Sequence, residues 1–152
     1  MLVSKSQLRA RIMGALGGRA AEDVVFGHAE VTTGAGGDIQ QVASMARQMV
    51  TRFGMSDLGP VSLEAGNQEV FLGRDLMTRS DVSDAIASRI DDAVRQIVQD
   101  CYSETVKLVA EHRDCMDRVV EVLIEKETLD GDEFRAIVEE FTPIPQIGRA
   151  HV

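Results

Sequence analysis

The feature that most constrains the fold is a long apolar stripe in the second half of the chain. From Asp81 to about Arg113, apolar residues recur every three or four positions, the spacing that places them on one face of an α-helix. At a rise of about 1.5 Å per residue, such a helix would be about 50 Å long. The stripe contains Val82, Ile86, Ile90, Ala93, Ile97, Cys101, Thr105 and Leu108.

Similar patterns predict two helices before this one. The first runs from Gln7 to Val25 and is expected to bend or split at Gly17 and Gly18, since glycine is a poor helix former. Its apolar face contains Leu8, Ile12, Leu16, Ala20 and Val24. The second runs from about Asp38 to Phe53 and stops at Gly54. Its apolar face contains Ile39, Val42, Ala43, Ala46, Met49, Val50 and Phe53.

Two shorter helices are predicted after a break near Asp114. The apolar residues of the first are Met116, Val119, Val120, Leu123 and Ile124. The second begins at Asp130, with Glu133 three residues later as its capping partner, and directs Ile137, Val138 and Phe141 to the core.

The remaining segments are expected to be extended or irregular. Val61–Leu63 and Val70–Leu72 are short apolar or alternating runs that predict a small β-hairpin or a pair of short extended segments. Residues 143–152, which begin with Pro143, show no periodicity and are expected to form a disordered tail. The predicted fold is therefore mainly α, a helical bundle with a small hairpin, and forms one domain over residues 1–142.

Composition excludes two classes of function. The 152 residues include 16 Lys and Arg against 25 Asp and Glu, a net charge of −9, which repels phosphate backbones and argues against nucleic-acid binding. No apolar run approaches the ~20 residues that a bilayer span needs, so we expect no direct membrane insertion by this chain. The aromatic content of 4% and the 7 methionines suit a core of packed helices.

A search for catalytic groups finds no complete set in these residues. His28, His112 and His151 lie far apart, and none belongs to an HExxH pattern. Cys101 falls on the apolar stripe, where a small buried side chain is expected. Cys115 lies at a helix start but has no adjacent histidine to complete a nucleophilic pair.

Asp38 follows a glycine-rich segment, Thr32–Gly37, and allows two interpretations. Its carboxylate could cap the second helix while Gln41 reaches back, as in a capping box. A negative charge is favoured at this end of a helix, so the same carboxylate could also serve as a metal ligand. The spacing by itself favours the cap.

Five stretches of the chain carry recognisable motifs: Leu16–Gly27, Val31–Ile39, Ala46–Ser56, Phe71–Asp75 and Ile124–Thr128. In this order they resemble the peptidase domain of the FtsH family of membrane-anchored, ATP-dependent zinc metalloproteases. The resemblance covers about residues 5–142, and the stretches 74–77 and 89–91 look most like cyanobacterial and chloroplast thylakoid members.

The resemblance implies a zinc site in which an HExxH helix supplies two histidines and a general-base glutamate. Asp38 occupies the position of the third zinc ligand, and Glu22 matches an acidic position near the zinc, where it would support the ligands from outside. An ordinary surface or salt-bridge role is the alternative for Glu22. Because these residues contain no HExxH, the chain by itself is expected to be inactive and to bind no cofactor.

The family also implies partners and a location for the intact protein. It would form a homo- or hetero-hexamer with other FtsH-type subunits, use ATP and Mg²⁺ at a separate ATPase module, and degrade unfolded membrane proteins. In thylakoids these would include photosystem II subunits, with this domain on the cytoplasmic or stromal side. The competing hypothesis is a non-catalytic helical scaffold that has lost its metal site.

Overall fold

The structure, a computed structural model, describes residues 2–60 and 84–143. Those residues form five α-helices and no strand, which confirms the mainly α fold class. The predicted hairpin strands Val61–Leu63 and Val70–Leu72 and residues 144–152 of the predicted tail lie outside the described residues. Within the described residues, no helix is both long enough and apolar enough to span a bilayer.

Helix α1 spans Lys5–Phe26 and contributes one wall of the core. It begins with a capping box in which the Ser4 hydroxyl accepts the Gln7 N–H and the Gln7 side chain accepts the Ser4 N–H. Leu8, Ile12, Leu16 and Ala20 are buried, as predicted, whereas Val24 is only half-buried. The predicted split at Gly17 and Gly18 does not occur, because the buried residues on either side hold the helix against the core.

Helix α2 spans Gly36–Thr51 and therefore begins two residues earlier than predicted. Val42, Ala46, Met49 and Val50 are buried as predicted. The prediction is wrong for three residues at the edges of this stripe, which are exposed: Ile39, Ala43 and Phe53. Thr51 is buried instead, and its hydroxyl donates to the Arg47 carbonyl at 2.8 Å, so burial leaves no unpaired polar group.

Helix α3 spans Asp84–Glu111 and completes the core of the first of two compact units, residues 1–106. Its residues Ile90, Ile97 and Cys101 pack with the buried faces of α1 and α2. Arg47 of α2 pairs with Asp91 at 3.2 Å, and Ile39 and Val98 line the same surface cavity, so α2 and α3 run antiparallel. Arg9 of α1 pairs with Glu104 at 3.1 Å.

Gly54 lies three residues after the end of α2, in a backbone conformation that favours glycine. Its φ is +61°, and a Cβ there would lie 2.5 Å from the Cα of Pro60 and 2.7 Å from the Gly59 carbonyl oxygen. A side chain would therefore clash with backbone that has no room to move. The prediction that the helix runs to Phe53 is wrong by two residues, since α2 ends at Thr51, but the sequence did indicate glycine at the position that needs it.

The second unit, residues 107–152, contains α4 (Arg113–Lys126) packed against α5 (Gly131–Phe141). Cys115, Val122 and Ile137 are its buried residues among those described. Of the predicted apolar residues of α4, Met116 and Val119 are half-buried, whereas Val120, Leu123 and Ile124 are exposed. The apolar face of α4 is broad, so periodicity could not tell which part of it is covered. Of the predicted core residues of α5, Val138 is half-buried and Phe141 is 44% exposed.

The predicted cap of α5 is confirmed and gives a pH-dependent contribution to stability. The Asp130 carboxylate accepts the Glu133 N–H at 2.8 Å, and this hydrogen bond lowers the pKa of Asp130. Because the folded pKa lies below the unfolded one, the cap contributes fully above about pH 4 and its contribution is lost as the pH falls through the folded value. We expect Asp130→Asn, which keeps the cap but cannot titrate, to lose less protection of the Glu133 amide between about pH 6 and pH 3.

Hydrogen exchange of the Glu133 amide, measured in both proteins over that range, tests this expectation. The same loss of protection in both would contradict it.

Candidate functional site

The candidate site is built where the chain passes from the end of α1 to the start of α2. Gly27, with φ +87°, ends α1, and its N–H donates to the Asp23 carbonyl at 3.0 Å. A 3₁₀ turn at His28–Glu30 follows, and a second one at Thr33–Ala35 leads directly into α2. This connection brings Glu22 and Asp38, both singled out from the sequence, to its two ends.

Glu22 is held by two hydrogen bonds from one residue of the connection. Its Oε1 accepts the Thr32 hydroxyl at 2.6 Å, and its Oε2 accepts the Thr32 N–H at 3.1 Å. These two hydrogen bonds lower the pKa of Glu22, with the side-chain bond the larger cause. Glu22 is therefore a stable anion with a defined orientation, although its predicted role near zinc stays a prediction.

Thr32 also forms a hydrogen bond to the turn that precedes α2. Its Oγ1 accepts the Gly34 N–H at 3.2 Å and so caps the second 3₁₀ turn. The N–H of Gly36, the first residue of α2, donates in turn to the Thr33 carbonyl. Ala35, inside this turn, is buried. The sequence analysis missed Thr32, although a threonine two residues before a glycine is a known signal for such a turn.

Asp38 is the third residue of α2, and its side chain is exposed. The capping interpretation is wrong, because α2 begins at Gly36 and the cap position falls on Ala35, which forms no side-chain cap hydrogen bond. Gln41 therefore has no capping box to complete. The Asp38 carboxylate forms no hydrogen bond or ion pair with any residue in 2–60 or 84–143.

The donor set around Asp38 fits a contribution of one ligand to a zinc ion rather than a complete site. A carboxylate oxygen is an accepted zinc ligand, and this one is exposed and has no partner among the described residues. Within that part of the chain, no three His, Cys, Asp or Glu side chains come together as a metal site. Asp38 and Glu22 are joined through Thr32 and Gly34, not by a direct contact.

The other candidate side chains take structural positions. His28 is exposed, with its Nδ1 3.8 Å from Asp23 Oδ2, and His112 lies exposed at the start of α4. His151 lies outside the described residues. Cys101 is fully buried, and this burial raises the pKa of its thiol, as expected for a core residue. Cys115 is also buried.

One contact that no local pattern indicates supports α1 near this site. The Tyr102 hydroxyl of α3 donates to Asp23 Oδ2 at 2.9 Å. Burial and this acceptor raise the pKa of Tyr102. Since 79 positions separate the two residues, only the packing of α3 on α1 brings them together.

Comparison with known proteins relates the chain to one peptidase family. The profile of Peptidase family M41 matches residues 1–137. An ATP-dependent zinc metalloprotease FtsH of Trieres chinensis is 52% identical over 145 residues, which cover 95% of this chain and 22% of that protein. ATP-dependent zinc metalloprotease FTSH 2, chloroplastic, of Arabidopsis thaliana is 51% identical over 148 residues, with 97% and 21% covered. The chain thus spans about a fifth of the length of these curated relatives.

Proposed function

Since the chain belongs to peptidase family M41, we propose that it forms part of the peptidase domain of an ATP-dependent zinc metalloendopeptidase. The match over residues 1–137 and the names of the relatives support this activity. The observation that carries it in the structure is the exposed carboxylate of Asp38 in the first turn of α2, which has no hydrogen-bond or ion-pair partner among the described residues.

In this proposal Asp38 supplies one of three protein ligands. Two histidines and a general-base glutamate would come from an HExxH segment elsewhere in the full-length protein. When bound, zinc would polarise a water molecule and the scissile carbonyl. The present residues would hold the Asp38 carboxylate at the start of α2, the end of a helix at which a negative charge is favoured.

Glu22 would act from outside the ligand set. Its hydrogen bonds to Thr32 tie the end of α1 to the segment that leads into α2. Replacing a residue that orients a metal ligand typically lowers metal affinity by about 10–100-fold. This contact favours a supporting role for Glu22 over a simple surface role.

The finer features of the proposal concern the whole protein. We place this domain in a hexamer of identical or related subunits, driven by ATP and Mg²⁺ at a separate ATPase module. Its substrates would be unfolded or damaged membrane proteins, including photosystem II subunits at the thylakoid membrane. Support comes from relatives that are themselves named chloroplastic, FTSH 2 and FTSH 8 of Arabidopsis thaliana.

Zinc per chain, by elemental analysis, tests the proposed function. We expect about one equivalent in the full-length protein and none in the 152 residues alone, since zinc sites need three or four protein ligands. Zinc near one equivalent in the 152 residues would contradict the divided site. Absence of zinc from both would favour the non-catalytic scaffold.

A further inference from the structure

The hydroxyl of Thr32 is hydrogen-bonded both to Glu22 and to the segment that leads to Asp38. We propose that Thr32 is a positioning residue for the metal site, because its hydroxyl fixes the segment that carries Asp38. The inference rests on the proposed function, in which Asp38 is a ligand. It adds a residue that the motif comparison did not assign a role.

The hydrogen bonds of Thr32 use both capacities of a hydroxyl group. A threonine hydroxyl can donate one hydrogen bond and accept others. Here it donates to Glu22 Oε1 at 2.6 Å and accepts the Gly34 N–H at 3.2 Å. The backbone N–H of Thr32 also donates to Glu22 Oε2, at 3.1 Å, so α1 holds Thr32 at two points. Hydrogen bonds to a carboxylate are short and strong compared with neutral ones.

The segment between Thr32 and Asp38 needs such fixation. Three of the four residues at 34–37 are glycines, which lose more conformational freedom on ordering than other residues do. Among the described residues, the Asp38 side chain has no hydrogen-bond or ion-pair partner that would hold it in place. Two features order the segment on its N-terminal side, the Thr32 side chain and the buried Ala35.

The path from Thr32 to Asp38 is short, and two hydrogen bonds order its first part. Thr32 caps the turn at Thr33–Ala35, and the Gly36 N–H closes that turn on the Thr33 carbonyl. Gly36 is also the first residue of α2. The position of the capped turn therefore sets the position of the first turn of α2, which carries Asp38. A ligand displaced by loss of this cap would meet the metal with worse geometry, which weakens binding without removing the ligand.

The test is zinc affinity of the full-length protein, measured by competition with a chromogenic chelator. We expect Thr32→Val, which keeps the shape but removes the hydroxyl, to weaken zinc binding by about tenfold, the lower end for residues that orient ligands. Thr32→Ser keeps the hydroxyl and is expected to bind zinc as the parent does. Thr33→Val is the matched control, because Thr33 is exposed and its side chain forms no hydrogen bond within the described residues.

Each outcome decides between the inference and the proposed function. Equal affinities for Thr32→Val and Thr33→Val, or a loss in Thr32→Ser as large as in Thr32→Val, would overturn the positioning role. Asp38→Asn in the same assay separates the two hypotheses. If Asp38→Asn keeps its zinc, the proposed function fails. If Asp38→Asn loses zinc while Thr32→Val binds it as the parent does, only this inference is overturned. Should Thr32→Val not fold, Thr32→Ala removes the same hydroxyl with less crowding and decides the same question.

Discussion

Replacing Asp38 with asparagine in the full-length protein is expected to remove most of its zinc and peptidase activity while leaving the helical fold intact. Asparagine has nearly the same size but carries no charge and offers a weaker oxygen ligand. Residues that only orient ligands cost 10–100-fold when changed, so loss of a ligand should weaken zinc affinity by more than about 100-fold. The fold should persist because Asp38 is exposed and has no partner among the described residues.

A second aspartate provides a matched control for this variant. Asp114 also lies exposed in the first turn of a helix, α4, without a hydrogen bond or ion pair in the described part of the chain. Asp114→Asn removes the same charge from the same kind of position and should leave zinc content unchanged. Elemental analysis gives the zinc content, and circular dichroism gives the melting temperature. A lower melting temperature in Asp38→Asn with zinc unchanged would show that the role of Asp38 is structural.

Replacing Ile12 with alanine is expected to destabilise the first unit by about 2–5 kcal/mol, the usual cost of deleting a large side chain from a packed core. Ile12 is fully buried on α1, among residues of α2 and α3 that include Val42, Met49 and Ile97. The loss has two parts, because fewer apolar groups leave water on folding and the neighbours close the cavity only in part. Ile12→Val should cost less, about 0.5–1.5 kcal/mol.

Urea unfolding followed by tyrosine fluorescence measures this cost directly. The chain has 1 tyrosine and no tryptophan, and Tyr102 lies in the first unit, hydrogen-bonded to Asp23. Ile39→Ala is the control in the same unit, because Ile39 is 39% exposed. It should cost less than about half as much, since less apolar area leaves water at that position. Equal costs for Ile12→Ala and Ile39→Ala would contradict the packing described here.

The amino-acid sequence by itself determined the helices and the family. The stripe from Leu8 to Ala20 and the cap at Asp130 could be predicted because each depends on residues three or four positions apart. The motifs from Leu16 to Ser56 indicated the family that the comparisons confirm. Asp38 was singled out as a candidate zinc ligand only through its place in a motif. Local helix signals alone assigned it a cap that it does not form.

The tertiary structure decided which residues are buried and which polar groups meet. Only packing selects Cys115 and Val122 as the buried residues of α4 among those described, because the apolar face of this helix is broader than the strip that is covered. Glu22 and Thr32 are 10 positions apart, and Asp23 and Tyr102 are 79 apart. Periodicity and capping act over one or two helical turns, so they carry no information on such pairs. The contact between Glu22 and Thr32 joins the end of α1 to the segment before α2, so it depends on how the chain turns between these two helices.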